Sequence, residues 1–100
     1  MQPSSFTPRV HLFVCTNRRS PDNPLGTGCA ERGDALFRGF KELVAEHGCT
    51  TSVWVTQTAC LGICPRAGAT VAVYPQHKIL TEVDVADVRT VFLNATRRDP

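Results

Sequence analysis

Two cysteines lie four positions apart in Ala59-Cys60-Leu61-Gly62-Ile63-Cys64-Pro65. The glycine between them and the proline directly after make the span short and turn-prone, a poor stretch for core packing. Such a pair reads as one half of a metal-binding loop. Cys15 and Cys29, upstream, are expected to supply the other half. Four converging thiolates suit either tetrahedral Zn²⁺ or an iron–sulfur cluster.

Spacing narrows the choice. Structural zinc sites usually pair two Cys-x₂₋₄-Cys knuckles, whereas thirteen residues separate Cys15 from Cys29. The tight Cys-x₂-Cys-x₂-Cys run and the Cys-x₄-Cys-x₂-Cys pattern of other iron–sulfur proteins are also missing. So is a Cys-x₂-Cys at a helix start, which a dithiol enzyme would use. A thiol–disulfide redox protein using Cys60 and Cys64 and a structural zinc module remain the alternative readings. No Ser-His-Asp set, phosphate loop or carboxylate pair reads as catalytic, so an enzyme is not expected.

The cysteines need elements to bring them together. Arg9 to Cys15 alternates, with Val10, Leu12 and Val14 on one face and His11 and Phe13 on the other. Both faces are largely apolar, which predicts a central strand covered on two sides. Residues 16–28, rich in Pro, Gly, Asn and Asp, read as an open loop closed by Cys29. A helix is predicted from about Glu31 to His47, with Leu36, Phe37, Phe40, Leu43 and Val44 as its apolar stripe and Gly48 just past its end. Gly39 within it suggests close packing on the sheet.

Thr50 to Thr56 is dense in β-branched residues and reads as the second strand. Thr70 to Tyr74 is the third, and Lys78 to Thr81 the fourth, joined to it by the Pro75-Gln76-His77 turn. Asp84 with Asp87 predicts a capping box before a last helix whose apolar positions are Val85, Val88, Val91 and Phe92. The order β-α-β, loop, β-β-α predicts a parallel first pair and an antiparallel hairpin. This is the α/β element order of a thioredoxin-like fold: a mixed four-stranded sheet with flanking helices. Cys15 and Cys60 then fall at the C-terminal ends of strands, where α/β sheets collect ligand sites.

Composition sets the outer bounds. One hundred residues fit a single small domain. A domain at 9–95 is expected between a polar lead at 1–8 and a polar tail at 96–100. A net charge of +2 does not point to nucleic acid, and no apolar run is long enough for membrane insertion. The N-terminus lacks a basic stretch followed by an apolar run, so a cytoplasmic location is expected. Five cysteines in a reducing compartment suggest ligands or reactive thiols more than disulfides.

Together these residues resemble the thioredoxin-like [2Fe-2S] ferredoxins. The resemblance rests on Leu12-Phe13-Val14-Cys15-Thr16-Asn17, the open loop to Gly28-Cys29, and Cys60-Leu61-Gly62-Ile63-Cys64-Pro65. Thr70-Val71-Ala72-Val73-Tyr74-Pro75 and a closing helix after Val83 complete it, so that it covers about residues 9 to 95. It implies a soluble one-electron carrier with one [2Fe-2S] cluster per chain, ligated by Cys15, Cys29, Cys60 and Cys64. It also implies a homodimer and redox partner proteins. Cys49 has no matching ligand position and is expected to be a small buried hydrophobe at a strand start. Arg18, Arg19 and Arg66 flank the ligand loops, where they could steady the reduced state or meet an acidic partner. Gly26, Gly28, Gly62 and Gly68 are expected to let backbone approach the site. Trp54 is expected in the core or a dimer contact, and His11, His47 and His77 have no ligand spacing to one another.

Overall fold

The computed structural model describes residues 1–18, 22–24, 28–59, 61–62 and 67–97. Its elements run β1 (Val10–Cys15), α1 (Ala30–Glu46), β2 (Val53–Thr58), β3 (Ala69–Tyr74), β4 (Lys78–Val83), a 3₁₀ turn (Val85–Asp87) and α2 (Val88–Thr96). The strands form one sheet in the order β2-β1-β3-β4. β1 pairs parallel with β2, so that Val10 faces Val53 and Cys15 faces Thr58. It pairs antiparallel with β3, and β3 with β4, as the element order predicts.

Alternation along β1 fixes which side is the core. Leu12 and Val14 are fully buried and join Leu36, Phe40, Val71, Val73 and Phe92 in one apolar cluster. Register places Val73 opposite Leu12 and Val71 opposite Val14, so the buried faces of both strands lie under the helices. His11 and Phe13, on the other face of β1, are only half-buried. Trp54, Tyr74 and Ile79 share that face and are 38%, 36% and 45% exposed. The expectation of cover on two sides is therefore corrected: among the described residues the helices cover one face, and the second apolar face is open. Trp54 correspondingly lies outside the core.

Four other local readings change. The Thr50-Thr51-Ser52 run belongs to the exit from α1 rather than to β2. The Ser52 and Val53 amides donate to the Cys49 carbonyl at 3.1 and 2.9 Å, which closes a turn and delays the strand to Val53. Cys49 consequently lies in a turn and not at a strand start. Gly39 faces α2 rather than the sheet, since a Cβ there would sit 3.2 Å from a methyl of Val88. Val85, expected on an apolar stripe, is 64% exposed in the 3₁₀ turn. The capping box before it is complete: the Asp84 carboxylate accepts from the Ala86 amide at 2.7 Å, and the Asp87 carboxylate from the Asp84 amide at 3.1 Å.

Candidate metal centre

Cys15 is the last residue of β1 and is 0% exposed. Its neighbourhood is stitched to the end of β2. The Thr16 amide donates to the Thr58 carbonyl at 2.9 Å, and the Thr16 hydroxyl to the same oxygen at 3.0 Å. The Thr58 hydroxyl returns a bond to the Val14 carbonyl at 3.4 Å. The Cys15 thiol donates to the Ala59 carbonyl at 3.7 Å. Ala59 immediately precedes Cys60, so parallel pairing brings the chain leading into Cys60 beside Cys15.

Cys29, also 0% exposed, stands at the head of α1. Three close approaches hold the segment around it against the end of β1. The Ala30 amide donates to the Asn17 carbonyl at 3.0 Å. Gly28 has φ +81°, and a Cβ there would collide with the Asn17 carbonyl. One turn on, a Cβ at Gly33 would collide with the carbonyl oxygen of Cys15 itself. The first turn of α1 is thus pressed directly onto the end of β1, and only a residue without a side chain fits. The positive end of a helix favours negative charge nearby, which suits anionic sulfur at position 29.

Cys60 and Cys64 lie outside the described residues, as do Arg19, Gly26 and Arg66. Among the described residues no group of three or more His, Cys, Asp or Glu side chains could hold a metal ion. Gly62 has φ +96°, a backbone conformation that favours glycine. Arg18, expected to serve the site or a partner, forms an ion pair with Asp34 on α1. Cys49 is half-buried, and its thiol donates to the Val44 carbonyl at 3.7 Å.

The histidines do other work. His11 stacks on Phe13 with ring centroids 3.9 Å apart, and its Nε2 lies 2.7 Å from the Thr56 hydroxyl. Burial lowers its pKa below the ordinary imidazole value. His47 closes α1 with its ring 5.1 Å from Phe92. His77 packs edge-on against Tyr74 at 4.8 Å.

Arg32 was not among the residues singled out from sequence. Its Nε donates to the Gly68 carbonyl at 2.6 Å and its Nη2 to the Gly28 carbonyl at 2.9 Å. A signal was present: a cation in the first turn of a helix opposes the dipole, so its place there asks for another reason.

No family model matches the chain. Two curated proteins named "Ferredoxin, 2Fe-2S" do resemble it. The one from Clostridium pasteurianum is 30% identical over 84 residues, spanning 84% of this chain and 81% of that protein. The one from Aquifex aeolicus (strain VF5) is 34% identical over 80 residues, 78% of this chain and 70% of that protein. The crystal structure of the wild-type thioredoxin-like [2Fe-2S] ferredoxin from Aquifex aeolicus superposes with a TM-score of 0.75 and 28% identity. The match covers 90% of this chain and 86% of that one.

Proposed function

The chain belongs to the thioredoxin-like [2Fe-2S] ferredoxin family, and from that premise we propose that Cys15, Cys29, Cys60 and Cys64 hold one [2Fe-2S] cluster through which it carries single electrons. The observation that carries the ligand assignment is the meeting of Cys15, Cys29 and the residue before Cys60 at one sheet edge. The two described thiols fit the group: both cysteines are buried, Cys15 at a strand end and Cys29 at a helix N-terminus, with packed carbonyl and amide groups around them. The cluster supplies a one-electron couple, its oxidised site carrying a formal charge of about −2 and its reduced site about −3 with four thiolates. The protein's part is to fix the sulfurs, exclude water and tolerate that charge.

The chain works without a substrate of its own, exchanging electrons with protein partners. The unit that does this spans residues 9–95, and its setting is the cytoplasm. No helix among the described residues is long and apolar enough to cross a membrane. The small net charge of +2 does not favour nucleic acid.

A homodimer is part of the same reading. On the uncovered sheet face His11, Phe13, Leu61, Tyr74 and Ile79 line one shallow depression, and Trp54 stands edge-on against His11 beside it. A second copy of this chain is the occupant that would bury it. Trp54→Glu is expected to convert a dimer into a monomer in light scattering while leaving cluster content unchanged. A wild-type monomer at micromolar concentration contradicts the dimer.

The ligand assignment is tested by reconstituting the chain with iron and sulfide. Equal iron and acid-labile sulfide in a reddish-brown protein is the expected result. A colourless, zinc-loaded protein without sulfide contradicts it and restores the zinc module.

A further inference from the structure

We propose that Arg32 is a positioning residue that ties together the two segments carrying the cysteine ligands and sets the reduction potential of the centre between them. The proposal rests on the electron-carrier reading above. Its basis is the pair of hydrogen bonds from one guanidinium to two carbonyls 40 residues apart in sequence, Gly28 and Gly68. Gly28 is the residue before Cys29. Gly68 is four residues after Cys64, at the point where that loop enters β3.

Both carbonyls are anchored on their far sides. Gly28 packs against Asn17, which follows the Cys15 strand, and Gly68 packs against Val83 at the end of β4. Arg32 therefore does not chase two loose loops. It spans two fixed points, the residue before Cys29 and the entry to β3. Arginine suits this because its rigid fork presents several N–H groups at once, whereas a lysine ammonium reaches as a single point.

The charge has its own consequence. One electron taken from a chemical or protein reductant would make the iron–sulfur site one unit more negative. A guanidinium held one helical turn from Cys29 favours that more negative form, and the shallow burial of the Arg32 side chain keeps solvent from screening it fully. Arg32 thus raises the potential, opposing the drop that the accumulated thiolate charge imposes.

The test uses the wild-type chain, Arg32→Gln and Arg32→Lys, each with and without its centre. Urea unfolding of the cluster-free chains reads the tie. Losing a charged donor to two carbonyls is expected to shift the folding equilibrium of Arg32→Gln about tenfold toward the unfolded state. A dithionite titration of the loaded proteins reads the charge. Arg32→Gln is expected to have a more negative midpoint potential, and Arg32→Lys a potential near wild type with the weakened folding equilibrium. If Arg32→Gln fails to fold, Arg32→Lys decides: reduced stability with an unchanged potential supports the proposal. Wild-type stability in both variants overturns the tie, and a wild-type potential in Arg32→Gln overturns the electrostatic role. A wild-type chain that takes up no iron and sulfide overturns the family reading instead, and the cluster-free unfolding data still judge the tie.

Discussion

At its C-terminal end α1 closes through its own backbone, with the Cys49 amide bonded to the Val44 carbonyl at 3.1 Å and the Gly48 amide to Ala45 at 3.2 Å. Gly48 takes φ +61°, completing a Schellman motif. At its N-terminal end the same helix begins on Cys29, which makes no side-chain cap hydrogen bond, and continues through Ala30 at φ +36°. Serine, threonine, aspartate or asparagine would cap better by about 0.5–2 kcal/mol. Each end carries a cysteine, and the two differ in kind. Cys49 occupies a turn that the backbone already satisfies. Cys29 sits where helix stability alone would place another residue, against the end of the strand that holds Cys15. The difference teaches that one end of α1 is finished by its own backbone, whereas the other forgoes a side-chain cap and presses against the end of β1.

The comparison breaks most visibly under cysteine substitution. Cys15→Ala and Cys29→Ala are expected to abolish or strongly perturb the visible absorption of the reconstituted protein, as is Cys60→Ala. Cys49→Ala is expected to leave the spectrum unchanged. Bleaching by Cys49→Ala would erase the distinction between the two ends.

Glycine substitutions sharpen it next. Gly33→Ala drives a methyl into the Cys15 carbonyl and is expected to cost about 1–3 kcal/mol in urea unfolding, with poor cluster retention. Gly48→Ala at the other end meets open space. It is expected to cost only the left-handed backbone term, about 1 kcal/mol, with the spectrum intact. Equal retention of the cluster in both variants would show that the packing of Gly33 onto Cys15 has no role in the site.

Much of this was legible in the sequence because its causes are local. Alternation from Val10 to Val14 gives β1 its core face and sets Cys15 at the end. Asp84 and Asp87 announce their capping box, and Gly48 its helix stop. The misses have non-local causes. The Thr50–Ser52 run favours a strand by residue type, but the exit from α1 takes those residues for its turn. His11 and Phe13 look buried because the strand around them is largely apolar, and only the placement of both helices on one side reveals the open face. Gly39 is fixed by Val88, which is 49 positions away. Arg32 reaches Gly68 across 36 positions, and nothing near either residue in sequence reports it.

The most direct measurement is electron paramagnetic resonance of the reconstituted chain before and after reduction. A [2Fe-2S] carrier predicts no signal when oxidised and, after dithionite, roughly one unpaired spin per chain. A chain that binds metal yet gives no spin on reduction and holds no sulfide would contradict the account.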